Sequence, residues 1–134
     1  MKVKDIMTKE LFFLHPGRKL DMVDDVMKLH NIRHIPIIND QGLIVGLVSQ
    51  RDLLRHAISN QAPITEAEQR KILEYILVDD VMQTNVLTIP EDAKLNEAAS
   101  MMIENKIGCL PVVNDDDMMV GILTDTDFIK LALN

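Results

Sequence analysis

Two short patterns in this chain set a hydroxyl and a carboxylate at fixed spacing: Ser49-x-x-Asp52 and Thr124-x-x-Asp127. Each follows a glycine and an apolar run, in GLVSQRDLL (46–54) and GILTDTDFI (121–129). An ionised carboxylate only accepts hydrogen bonds, whereas a hydroxyl both donates and accepts. Placed at a strand-to-helix junction, the two form a compact polar corner that can receive a ligand. Gly46 and Gly121, Ser49 and Thr124, and Asp52 and Asp127 are all 75 positions apart, so the corner occurs twice in one chain.

Other chemistries lack their residues. Ser49 has no G-x-S-x-G elbow and no defined base, so it does not read as a nucleophile. His30 and His34 have the i, i+4 spacing of metal ligands, but the helix ends between them and no third ligand is evident. Asp115–Asp117 lacks the alternating ligands and closing Glu of a calcium loop, and reads as a solvated turn. No glycine-rich phosphate loop occurs. Cys109, beside Pro111 in an apolar run, reads as a buried structural thiol. The expectation is therefore no catalytic residue, no metal and no enzyme activity.

The elements that carry the corners repeat as well. Val3–Met7 (VKDIM) returns as Val78–Met82 (VDDVM). Short strand-like pieces follow at Leu11–Leu14 and Val86–Ile89. Leu20–Leu29 shows one apolar stripe at helical spacing, with Asp21 and Asp24 suiting the first turn. Its counterpart is Leu95–Glu104. Arg33–Ile38 reads as a strand containing Pro36, and a proline without an N–H belongs at a sheet edge or an irregular strand start. Asn39–Gly42 is turn chemistry, and Leu43–Val48 completes a hairpin. Leu110–Val113, Asn114–Asp117 and Met118–Leu123 follow the same plan. Helices then run from about Arg51 to Ile58 and from about Thr126 to Leu133. Without a gap, residues 3–59 match residues 78–134 at 14 of 57 positions.

An internal duplication governs the fold prediction. It gives an α/β protein of two repeats packed sheet to sheet about a pseudo-two-fold axis, because neither half buries enough surface alone. The predicted boundaries are 1–58 and 78–134, joined by a connector, 59–77. Pro63 breaks the chain there, and Thr65-x-x-Glu68 is a capping box opening a packing helix with Ile72, Leu73, Ile76 and Leu77 on one side.

The net charge of −7 in 134 residues argues against a simple nucleic-acid binder. The charge is uneven: residues 1–60 carry 9 Lys+Arg against 7 Asp+Glu, and residues 61–134 carry 5 against 14. An anionic ligand is better received by the first half. No run approaches the roughly 18 apolar residues of a membrane span. MKVKDIMTKELFF has no signal-peptide pattern, and a single cysteine suits a reducing compartment, so the expected location is cytoplasmic.

The tandem pattern resembles a pair of CBS domains, also called a Bateman module. The resemblance rests on VKDIM and VDDVM, on TIPEDAKLNEAASMM (88–102), on IRHIPIIND (32–40) and IGCLPVVND (107–115), and on the two G-h-h-[ST]-x-x-D corners. It covers the chain from Val3 onward apart from the connector, and implies a stand-alone CBS-domain pair. Such pairs are generally not enzymes and need no cofactor. They bind adenosine-containing regulatory ligands (AMP, ADP, ATP or S-adenosylmethionine) in clefts between the halves, and relay the signal to a partner protein.

By that resemblance, Asp52 and Asp127 accept ribose hydroxyls, with Ser49 and Thr124 assisting. A carboxylate suits a vicinal diol through charge-assisted bonds. The base lies against Phe13–Leu14 and Thr88–Ile89, with Ile35–Pro36 and Leu110–Pro111 nearby. Phosphates meet Arg33 and His34, to which Arg51 and Arg55 on the following helix add further cations, with Arg51 at the edge of the site serving either it or its neighbour. The equivalent positions in the second half are Gly108 and Cys109. The resemblance therefore predicts a phosphorylated nucleoside at the first corner, and a neutral ligand, weak binding or none at the second. It also implies a homodimer, for which the helices around Leu53–Ile58 and Phe128–Leu133 are candidate interfaces. The alternative is a structural dimerisation or interaction module without ligand binding.

Overall fold

A computed structural model describes residues 1–57 and 64–133 of the 134-residue chain. The expectations at Ile58 and Pro63 lie outside the described residues. The chain divides into two compact units that do not follow the order of the sequence: Phe12–Val86 forms one, and Met1–Leu11 with Leu87–Asn134 forms the other.

The Phe12–Val86 unit contains α1 (Leu20–His30), β1 (His34–Ile38), β2 (Ile44–Ser49), α2 (Gln50–Ala57) and α3 (Glu66–Leu73). The α1 stripe buries Leu20, Val23 and Met27 against Ile35, Ile37 and Val48 of the hairpin and Leu53 of α2. The helix stops at Asn31, whose left-handed backbone (φ 53°) returns its N–H to the Met27 carbonyl. In the hairpin turn, Asn39 Oδ1 accepts the N–H groups of Gln41 and Leu43, both at 3.0 Å. Connector helix α3 opens on Thr65 as its N-cap: the Thr65 hydroxyl accepts from Glu68 N at 3.1 Å and donates to Glu68 Oε1 at 3.0 Å. Its Leu73 belongs to the core cluster, against which Ile76 packs.

The second unit contains β3 (Ile89–Pro90), α4 (Leu95–Asn105), β4 (Cys109–Val113), β5 (Met119–Thr124) and α5 (Asp125–Ala132). It repeats the plan in detail. Leu95, Ala98 and Met102 of α4 pack with Leu110, Val112 and Leu123. Helix α4 ends at left-handed Lys106 (φ 54°), and Asn114 Oδ1 caps the N–H groups of Asp116 and Met118.

Two strand expectations are corrected. The pieces around Leu11–Leu14 and Val86–Ile89 contribute only a single parallel bridge, Leu14 with Ile37, and the two-residue β3. The edge expectation holds for Pro36, whose β1 lies in the two-stranded sheet β1-β2, but not for its counterpart: β4, with Pro111, is the central strand of β3-β4-β5. The hydrogen bonds explain both corrections. Leu14 N donates to the Pro36 carbonyl, and Ile38 N donates to the Leu14 carbonyl. A residue's N–H and C=O face the same neighbour, so pairing on that side starts at the proline carbonyl and cannot extend past its missing N–H. The proline thus truncates its parallel neighbour while keeping its antiparallel partner, Leu47 for Pro36 and Ile122 for Pro111.

The free side of each hairpin is closed by a lead-in segment that belongs by sequence to the other repeat. Thr8 and Ile122 exchange two backbone hydrogen bonds of 2.9 Å, and Gln83 and Leu47 exchange two of 2.9 and 3.0 Å. Val3, fully buried, joins the core of the second unit, and Val78, also fully buried, joins that of the first.

Candidate functional site

Both corners form where the sequence places them. Ser49 ends β2 and stands at the N-cap of α2, with Asp52 in the first helical turn. Asp52 Oδ2 accepts from Ser49 N and from Ser49 Oγ, both at 2.9 Å, while Ser49 Oγ accepts from Asp52 N at 3.1 Å. This is a reciprocal cap of the new helix. It fixes the carboxylate in one rotamer, although the residue is only 5% exposed. In the second unit, Asp127 Oδ2 accepts from Thr124 N at 2.9 Å, and the Thr124 hydroxyl stands farther off, at 3.4 Å. Asp127 is 8% exposed. Oriented, nearly buried acceptors of this kind can receive a ligand's hydroxyl groups at little ordering cost.

The neighbouring candidates gather on the same framework. His34 is the cross-strand partner of Ser49, and Cys109 that of Thr124. The Arg33 carbonyl accepts from Gln50 N at 2.8 Å, which ties the residue before β1 to the first residue of α2. Gly108 and Asp125 repeat this link at 3.2 Å. Ile35 and Pro36 are buried in β1, Leu110 and Pro111 in β4, and Ile89 is buried beside Val112. Leu14 and Thr88 are half-buried. Arg51 is exposed in the first turn of α2. Phe13 is also exposed, and its ring meets that of His15 edge-on at 5.6 Å.

The two corners differ in charge. A Cβ at Gly108 would lie 3.4 Å from Asp125 Oδ2, so an acidic side chain overlies the position that corresponds to Arg33. Gln50, an uncharged amide, corresponds to Asp125. The buried Cys109 thiol is pushed up to about 12, first by burial and then by the negative charges of Asp125 and Asp127. It therefore stays protonated and unreactive at neutral pH.

One contact was not legible in the sequence. Thr8 Oγ1 donates to Asp127 Oδ1 at 2.8 Å across 119 residues. Thr8 corresponds to Gln83, and only the crossing of the lead-in brings it to this corner. Among the described residues, no group of three or more His, Cys, Asp or Glu side chains is gathered as a metal site, and no helix is long and apolar enough to cross a membrane.

The CBS domain family model matches residues 3–59 and 78–134. The chain superposes with a TM-score of 0.83 on a proposed acetoin utilization protein (AcuB) of Vibrio cholerae, at 37% identity, covering 100% of this chain and 91% of that one. The CBS domain pair of protein MJ0100, solved with 5′-methylthioadenosine and S-adenosylmethionine, gives 0.82 at 27% identity, covering 98% and 95%. CBSX2 in complex with AMP gives 0.80 at 29% identity, covering 98% and 96%. The chain spans 92% of one curated relative's length and 23% of another's.

Proposed function

Because this chain belongs to the CBS-domain family, we propose that it is a regulatory module binding adenosine-containing ligands at the Ser49–Asp52 and Thr124–Asp127 corners. The observation that carries the reading is the pair of nearly buried, rigidly capped carboxylates at equivalent positions of two repeats. Ribose hydroxyls donate to these carboxylates. The base rests on the strand and lead-in residues around Leu14, Ile35 and Pro36 in one unit, and around Ile89, Leu110 and Pro111 in the other. Complexes of similar CBS pairs with AMP and with S-adenosylmethionine support this ligand class.

Charge assigns the ligands. Arg33, His34 and Arg51 make the first corner the phosphate-accepting one, for AMP, ADP or ATP. Gly108 beneath Asp125 makes the second suited to an uncharged adenosyl group. Binding shifts the population of module conformations by its differential affinity for them, and a partner protein reads the shift. The module acts in the cytoplasm as a homodimer, joined through the exposed faces of α2 and α5, with Leu54 on α2, Ile129 on α5 and Leu133 just beyond its end. It performs no catalysis.

A structural module without ligand is the competing reading. One observation favours it: the corner bonds already suffice as helix caps. Thermal unfolding with AMP, ADP, ATP, adenosine and S-adenosylmethionine separates the two. A ligand at about 100 times its dissociation constant adds roughly 2.7 kcal/mol of stability. Asp52→Ala should abolish the AMP shift, and Asp127→Ala should leave it largely intact. Equal losses from the two substitutions would refute the charge assignment, and no shift with any ligand would favour the structural module.

A further inference from the structure

The Thr8–Asp127 bond deepens the proposed function, on which it rests, by naming the residue that sets the second corner's competence. We propose that the Thr8 hydroxyl stands on Asp127 in place of a ribose hydroxyl, so that a nucleoside at this corner must displace it. The bond is not needed to hold Thr8: two backbone hydrogen bonds to Ile122 already do so. Gln83 makes the same backbone pair with Leu47 without a hydroxyl at that position. Chemically the substitution is close. A threonine hydroxyl donates one hydrogen bond to a carboxylate oxygen, as a ribose hydroxyl does.

The two carboxylates show the consequence. Asp52 takes both groups of Ser49 at 2.9 Å on Oδ2. Asp127 likewise takes Thr124 N at 2.9 Å on Oδ2, but meets its own cap hydroxyl there only at 3.4 Å, and meets the Thr8 hydroxyl at 2.8 Å on Oδ1. Of the two hydroxyls on Asp127, the closer comes from the lead-in rather than from the corner itself. Thr8 is exposed, so its hydroxyl can turn to water when displaced. Residues 3–8 form one continuous lead-in, with Val3 in the core and Thr8 on the corner, so ligand entry acts directly on that segment. The second corner is thereby self-occupied in the ligand-free protein, and its affinity is set by a residue far away in sequence.

Calorimetric titration with adenosine tests this, using Asp52→Ala to remove the first corner. In that background Thr8→Val, which keeps the shape and removes the hydroxyl, should tighten adenosine binding about tenfold, the worth of one displaced hydrogen bond. Thr8→Ser should retain the weak binding. Unchanged or weaker binding in the Val variant overturns the inference, because Thr8 would then be a bystander or a ligand contact. A Ser variant that tightens binding as much as Val overturns it too. Absence of adenosine and AMP binding to the intact Ser49–Asp52 corner refutes the proposed function instead. Failure of the Asp52→Ala/Thr8→Val protein to bind adenosine refutes the present inference whatever the first corner does.

Discussion

A methionine tail fills the space that a side chain at Gly46 would need, and another does so at Gly121. An added Cβ at Gly46 would collide with Met82 Sδ and lie 2.7 Å from its Cγ; at Gly121 it would lie 2.5 Å from Met7 Sδ and 3.2 Å from the Thr8 carbonyl oxygen. These glycines let a lead-in methionine seat on the strand before each corner. Gly46→Ala and Gly121→Ala should each cost about 1–3 kcal/mol by overpacking, read from urea unfolding midpoints. Met82→Ala should recover part of the Gly46→Ala loss in a double-mutant cycle, since the clash is with that side chain alone. Additive losses would place the cost elsewhere. Recovery at Gly121 through Met7→Ala should be smaller, because the Thr8 backbone cannot move as a side-chain tail does. The glycine-to-aspartate spacing of the corners was legible in the sequence because it recurs at one offset. The need for glycine was not, because it depends on which methionine arrives, and from where.

At the scale of elements, the duplication made most of the plan readable. Apolar spacing gave α1 and α4 to within a residue, and the Asn-led turns gave both hairpins. The strand proline was misread only in the second repeat, at Pro111, because its missing N–H says which bond is absent and not whether a neighbour lies beyond it. The helix ends offer a direct test of local strain. Lys106 takes a left-handed backbone that a side chain disfavours. Lys106→Gly should therefore stabilise the protein by up to about 1 kcal/mol, seen as a rise of a few degrees in Tm. The connector helix is tied down differently. Arg70 holds Asp25 by paired bonds of 2.6 and 2.9 Å, bridging α3 to α1. The hydrogen bond from Arg70 keeps the Asp25 carboxyl below its ordinary range. A carboxyl depressed in the folded state contributes stability above its unfolded pKa of about 3.9, and that contribution fades as pH falls through the folded value. The stability difference between the native protein and Arg70→Gln should thus be constant near neutrality and vanish in acid. It should also shrink in high salt, because both groups are substantially exposed. A difference that persists at pH 2 would mean that Arg70 acts through its aliphatic stem.

For the molecule as a whole, the crossing of the lead-ins decides which pieces of chain can fold. The sequence repeats run 3–59 and 78–134, but each compact unit borrows its first segment from the other repeat. Periodicity shows which face of a segment is buried and not which sheet buries it, so this exchange could not be read from the sequence. Fragments should reveal it. A piece spanning residues 12–86 retains its own hairpin, α1, α2 and α3, the Gln83 pairing to Leu47 and the fully buried Val78. A piece spanning residues 1–58 loses Val78 and the Gln83 pairing, and exposes the apolar surface they cover. The same reasoning separates 78–134, which lacks Val3 and Thr8, from 87–134 linked through its C-terminus to residues 1–11, which regains both. Amide spectra of the four pieces should show dispersed, cooperative folding for 12–86 and for the permuted 87–134/1–11, and collapsed or unfolded spectra for 1–58 and 78–134. Domains of this size are only marginally stable, so one missing core segment is enough to tip the balance. Well-dispersed spectra from 1–58 and 78–134 would show that the lead-ins are dispensable ornaments.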